Sequence, residues 1–200
     1  MRVMVSRSQF NGIKEFARKR AESLDYNHDF EHIERTAKYA ELLAKKEGAD
    51  KDVCVVAAWL HDTGKAKNEE VHGDIGARMA KPFLERLGFE SGFIEKVCHA
   101  IECHDSASIH KAKTIEAKVV FDSDKLQAIG PFGFGREFSL YTVFKEKKPR
   151  EAFEIVKKNE ANRFKNELQT DTAKELASKP FELMLEFYKL YKKWDRADID

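Results

Sequence analysis

Three cysteines in 200 residues, Cys54, Cys98 and Cys103, form no C-x-x-C pair and leave an odd count. A disulfide framework is not expected, and buried thiols in a reducing cytoplasm suit the pattern better. Cys98-His99 and Cys103-His104 invite a zinc reading, but five residues of helix turn the two sulfurs about 140° apart, which spoils convergence. No run approaches the roughly 18 apolar residues of a spanning helix, so no membrane partner is expected. Met1 to Arg7 lacks the long apolar centre of a secretory leader, which argues against export. Charge of one sign is missing too: 36 Lys and Arg face 35 Asp and Glu, leaving no field to steer the chain onto a nucleic-acid polymer. The basic clusters Lys145 to Arg150 and Lys192-Lys193 lack interleaved stacking aromatics and read as solvated helix ends or loops. Internal repeats, low-complexity stretches and long linkers are absent as well.

What is present is a chain that is 42% hydrophobic and 36% charged, long enough to bury one full core, and helical in pattern almost throughout. Phe10, Ile13, Phe16, Ala17 and Leu24 predict a first helix over 8–24. Asp29 caps a second, with Ile33, Ala37, Ala40 and Ala44 on one face and Gly48 as its stop. Asp50 caps a third, which runs to His61-Asp62 and is broken by Gly64. A short polar loop leads to a fourth over 74–87, where Pro82 predicts a kink or broken turn. Ser91 caps a fifth that ends at His104, and Thr114 opens a sixth that carries Asp122 and Asp124 to a stop at Gly130-Pro131. Residues 131–136 have no assignable form. Helices over 150–168 and 171–194 finish the chain, the second bent at Pro180. The fold class is all-α.

The most informative feature is the dipeptide His61-Asp62 at the end of the apolar run Val53 to Leu60. An imidazole and a carboxylate on a buried helix must be desolvated against a partner, and a metal ion is the obvious one. Upstream, His32 falls in the first turn of the second helix. Far downstream, Asp124 lies on the sixth. Together His32, His61, Asp62 and Asp124 supply two nitrogens and two oxygens from three helices, a plausible set for one divalent ion. Consecutive residues on a helix are splayed by about 100°, but at a helix terminus both can reach a metal on the extended axis. Mixed ligation favours Mn, Fe, Co, Ni or Zn over Mg.

These residues resemble the HD-domain metal-dependent phosphohydrolase superfamily, whose pattern is a His, a later His-Asp pair, and a distal Asp followed by Lys or Arg and a Leu. The resemblance runs from His28 to Gly130. Thr170 to Lys174 and Phe181 to Met184 look like the tail of a small stand-alone branch similar to nucleotide pyrophosphohydrolases. It implies a single compact domain over 1–200, with a motif core at about 28–130 and a C-terminal helical extension at about 131–200. It also implies hydrolysis of a phosphoester or phosphoanhydride in a nucleotide or small phosphorylated metabolite, such as pyrophosphate release from a nucleoside triphosphate. The alternatives are a phosphomonoesterase, a cyclic phosphodiesterase, or a nucleotide- or metal-sensing domain without turnover. His72 and His104 are expected to contact phosphate or give a proton to the leaving group, not to ligate metal. Lys65 and Arg35 are candidates for substrate phosphate. Glu31 is the carboxylate that could orient an attacking water. Apolar residues on the terminal helix, Phe181, Met184, Leu185 and Tyr188, could be core or the surface of a homodimer.

Overall fold

The computed structural model describes residues 5–65 and 72–198. The polar stretch 66–71, most of the expected loop before the fourth helix, and residues 1–4 of the N-terminal stretch lie outside them. Nine α-helices and no strand occur among the described residues, so the architecture is all-α as expected. The chain divides into two compact units, residues 1–124 and 125–200.

In the first unit, α1 (Arg7–Ala21) begins at Ser6, whose hydroxyl and Gln9 form a reciprocal capping box. Asp29 caps α2 (Phe30–Glu47), and the left-handed Gly48 ends it at φ +70°. Asp50 caps α3 (Lys51–Leu60), which continues as a 3₁₀ turn over His61–Gly64. Then come α4 (Gly73–Arg86), α5 (Ser91–Glu102) and α6 (Ile115–Lys125). Helix α3 packs against α2 and α5, and α5 against α4. Ile33, Leu43, Val53, Leu60, Leu84, Ile101 and Phe121 are buried. The Trp59 ring is flanked by Phe10 and Phe30, and Phe16 stacks on Phe83 at 4.1 Å between centroids.

Several boundaries differ from the sequence reading. Glu90, not Ser91, is the N-cap of α5, and its side chain makes no capping bond. Helix α4 runs unbroken through Pro82. Proline removes one bond of the ladder, and the packing of α4 on α5 and of Phe83 on Phe16 outweighs that single loss. The sixth helix stops at Lys125, before a 3₁₀ turn over Leu126–Ala128.

The second unit contains α7 (Gly130–Ser139), α8 (Pro149–Asn162) and α9 (Asp171–Asp195). Residues 131–136, of no assignable form in sequence, belong to α7: Pro131 takes the first turn, where its missing N–H costs nothing. Helix α8 ends at Asn162 and passes into a π turn over Arg163–Glu167. Helix α9 is continuous past Pro180. Phe153, Met184 and Tyr188 form the core here, joined by Phe134, Phe138 and Tyr191. On α9, Phe181, Met184 and Tyr188 are therefore core, whereas Leu185 is exposed.

Candidate metal centre

His32 owes its place to the cap of α2. Asp29 Oδ1 accepts from the His32 amide at 2.7 Å, which fixes the first turn and sets the ring inward, 2% exposed. The 3₁₀ turn after α3 places His61 and Asp62. Its Thr63 hydroxyl donates to the Leu60 carbonyl at 2.7 Å, and the Arg20 guanidinium of α1 donates to the Thr63 carbonyl at 3.1 Å. Gly64 lets this turn lie on α4: a Cβ there would overlap the Gly76 amide and come within 2.7 Å of the His72 carbonyl.

Three side chains, those of His32, His61 and Asp62, then converge, with Asp124 against His32. His32 Nε2 is 3.3 Å from His61 Nε2, 3.4 Å from Asp62 Oδ2 and 3.3 Å from Asp124 Oδ1, and His61 Nε2 is 3.2 Å from Asp62 Oδ2. Donor atoms about 2.1 Å from a shared ion are about 3.0 to 3.4 Å from one another, so these separations are those of ligands around one cation. The Nδ1–H of His61 donates to the Ala58 carbonyl at 2.8 Å, which leaves the Nε2 lone pair facing the cluster. Asp62 Oδ2 is buried without a hydrogen-bond partner. A buried carboxylate oxygen beside two imidazole nitrogens and without a hydrogen bond of its own fits a divalent ion. Asp124, 18% exposed, is the most open of the four.

A second group shares Asp62. His72 Nε2 is 2.8 Å from Asp62 Oδ1 and 3.0 Å from His104 Nε2, and the ligand atoms of Asp62, His72 and His104 lie within 4.8 Å of one another. His104 repeats the device of His61, donating through Nδ1 to the Ile101 carbonyl at 2.6 Å. His72 Nδ1 is buried without a hydrogen-bond partner and faces Asp105 Oδ1 at 3.5 Å.

The charges fit this layout. Burial alone would raise the Asp62 carboxyl, but His61 and the imidazoles of His104 and His32 outweigh it and hold the group well below the usual carboxylate range. Burial likewise opposes the charged form of His61, yet Asp62 and Asp124 lift it to about 9. In His32 burial prevails and the ring is shifted down.

Asp105 was not among the sequence candidates. Its Oδ2 accepts from the Gly73 amide at 2.8 Å and the His72 amide at 3.0 Å, anchoring the start of α4 and with it the His72 backbone. The signal was present: Asp105 follows His104 at the end of an apolar helix, as Asp62 follows His61. Glu31 stands apart, its side chain 80% exposed and 3.4 Å from Arg35. Lys65 closes the 3₁₀ turn, its amide donating to the Asp62 carbonyl at 3.0 Å and its charge acting on Asp25. Asp25 Oδ1 is also 2.8 Å from His28 Nδ1, and the His28 ring meets that of His32 edge-on. Cys54, Cys98 and Cys103 are free thiols that burial shifts upward, and none joins a ligand cluster among the described residues.

An all-α scaffold whose helix ends converge histidines and aspartates on a shared carboxylate defines a metal-binding helical domain. The sequence model of the HD domain matches residues 29–129, and the chain belongs to that family. It is 30% identical over 183 residues to the protein YpgQ of Bacillus subtilis, covering 86% of each chain. A crystal structure of YpgQ in complex with ADP superposes with a TM-score of 0.69 at 26% identity, over 92% of this chain and 96% of that one. An HD-superfamily hydrolase of Bacillus thuringiensis gives a TM-score of 0.75 at 26% identity, over 95% and 98%. Ribonuclease Y of Thermobifida fusca is 34% identical over 103 residues, half of this chain but 19% of that longer protein. HD domains bind divalent metals, and the His and Asp groups here are able to hold one. No helix among the described residues is long and apolar enough to cross a membrane.

Proposed function

We propose that the protein is a metal-dependent phosphohydrolase of nucleotides or similarly small phosphorylated metabolites, with release of pyrophosphate from a nucleoside triphosphate as the leading reaction. The single observation that carries this reading is the buried Asp62 Oδ2, without a hydrogen-bond partner and beside His32 and His61 at ligand spacing, with Asp124 against His32. The similarity to YpgQ, solved with ADP, supports a nucleotide as the substrate class.

His32, His61, Asp62 and Asp124 would hold the ion. Bound there, a divalent transition metal supplies Lewis acidity to a phosphoryl oxygen and lowers the pKa of a coordinated water toward neutrality. The Ala58 carbonyl keeps the His61 ring in the tautomer with Nε2 free. His72 and His104 stand beside Asp62 on another side of the cluster, where an imidazole can contact phosphate or hold the proton that a leaving oxygen takes up. Lys65 and Arg35 would supply positive charge to a substrate phosphate. Glu31, exposed as it is, would orient water only on turning away from Arg35.

A second reading concerns the number of ions. The Asp62, His72 and His104 group has ligand spacing, and Asp105 faces the far nitrogen of His72 as a carboxylate faces a metal-bound histidine. A two-cation centre with Asp62 as the shared carboxylate has this form.

One screen tests the proposal: nucleoside mono-, di- and triphosphates, a cyclic mononucleotide and a short RNA, each with Mn, Co, Ni or Mg, with products identified by phosphorus NMR. Metal-dependent pyrophosphate release from a triphosphate is the expected result. Cleavage of the RNA or the cyclic nucleotide alone would move the reaction to a phosphodiester, and nucleotide binding without any product would make the domain a sensor.

A further inference from the structure

A cleft of about 500 Å³ runs along the packed pair α4 and α5, and no residue of the metal centre lines it. Its floor is apolar. Phe89, stacked on Phe93 at 4.8 Å, and Ile94 are 7% and 4% exposed, and the Cys98 thiol, which lines the cleft with them, donates to the Ala77 carbonyl at 3.6 Å. Its rim is acidic: Glu85 of α4 with Glu95 and Glu102 of α5 stand against the single lysine Lys81. His99, on the same rim, accepts from the Lys113 amide through Nε2 at 3.1 Å and so adds no positive charge. Among the described residues the three glutamates enter no ion pair. Burial pushes the Cys98 thiol up to about 11, and the charges of Glu102 and Glu85 push the same way against Lys81.

This layout is wrong for a metal ion and for an extended peptide. Among the described residues the groups close enough to ligate one ion both contain Asp62, so the glutamates do not converge on a point. Both walls are helices, whose backbone groups are already paired and offer a peptide no strand edge. What the rim does present is charge at a distance. Glu95, Cys98 and Glu102 fall at i, i+3 and i+7 on one face of α5, which sets the two carboxylates two turns, roughly 10 Å, apart with apolar floor between them. We propose that the cleft binds a linear aliphatic polyamine, its methylene chain on Phe89, Ile94 and Cys98 and its ammonium groups at Glu95, Glu102 and Glu85. The methylenes leave water on binding, whereas the ion pairs are exposed and screened, so the dissociation constant is on the order of 0.1 mM at low salt and rises with ionic strength.

Isothermal titration calorimetry of the full chain with spermidine at low salt tests the assignment, with circular dichroism as the control for folding. One equivalent is expected to bind the wild type and also E175Q/E182Q, which removes two exposed glutamates of the same spacing from α9, where no such cleft lies between them. E95Q/E102Q, at full helicity, should bind about tenfold more weakly, as expected for two exposed ion pairs lost. On the wild type, 1,3-diaminopropane, too short to span two turns, should be weaker than spermidine by a similar factor. Amide shifts in NMR spectra of the spermidine complex should fall within residues 81–102. Spermidine binding that is absent, unchanged in E95Q/E102Q, equally lost in E175Q/E182Q or matched by 1,3-diaminopropane would overturn the proposal. Shifts centred on Asp62 and Asp124 would overturn it too, by assigning the polyamine to the metal centre.

Discussion

Two carboxylates of this protein are almost equally buried and behave in opposite ways. Asp62, in the first unit, is 2% exposed and lies among four imidazoles. Glu160, in the second, is 1% exposed; it accepts from the Gly130 amide at 2.6 Å and from the Tyr188 hydroxyl. Burial raises both. Against it, the imidazoles win at Asp62 and hold it ionised, whereas the amide and hydroxyl at Glu160 do not, and its carboxyl stays above the ordinary value. A buried acid among neutral donors with its oxygens satisfied is a strut, and one among imidazoles with an oxygen left over is a ligand.

Removing each carboxylate gives the sharpest contrast. Asp62→Ala should abolish bound metal and lower turnover beyond the roughly 10²- to 10⁴-fold typical of a lost acid or base, with little change in helicity. Glu160→Ala should leave the rate intact and destabilise the fold by about 1 to 3 kcal/mol for each donor it orphans, read from urea unfolding. Equal turnover in the two variants would erase the distinction.

The next effect separates the two readings of the centre. His72→Ala and His104→Ala should lower kcat by roughly 10²- to 10⁴-fold while metal content measured by plasma emission stays near that of the wild type. A wild type with two equivalents, one of them lost in either variant, establishes the two-cation form.

Smaller losses are expected at the charges around the site. Arg35→Ala and Lys65→Ala should each cost about 1.5 to 3 kcal/mol in kcat/KM, the range of a charge-assisted hydrogen bond. Normal kinetics with a lowered melting temperature would make both residues structural.

The weakest signal is the pH dependence of stability in metal-free protein. The stability due to Asp62, whose pKa is depressed, is present above the ordinary 3.8 and is lost as pH falls through its lowered value. That due to Glu160, whose pKa is raised, is present below the ordinary 4.5 and is lost as pH rises through its folded value. His61 adds stability that is complete below 6.5 and lost as pH rises through about 9. Asp62→Asn should therefore flatten the acid limb of a plot of urea midpoint against pH, and Glu160→Gln the decline just above it. Identical profiles for the two variants would show that the surroundings of the carboxylates do not matter.

The caps of α1, α2 and α3 at Ser6, Asp29 and Asp50, and the glycine stop at Gly48, are local chemistry: side chain and backbone three residues apart, fully written in the sequence. So was the order His32, His61-Asp62, Asp124, because an imidazole and a carboxylate ending an apolar helix are costly without a partner. The periodicity that starts α1 does not single out Ser6, and Ser91 and Glu90 are adjacent, so only the backbone angles choose the cap of α5. A broken turn at Pro82 is what propensity predicts, because propensity counts the lost hydrogen bond and not the packing that outweighs it, and α4 runs through that proline. Tertiary structure alone decided that Asp105 anchors the start of α4, that Asp62 is shared between two groups of histidines, and that Glu160 became a strut. Each of these depends on which distant groups surround a carboxylate once water is gone, and a carboxylate's charge state is set by those neighbours, not by its own place along the chain.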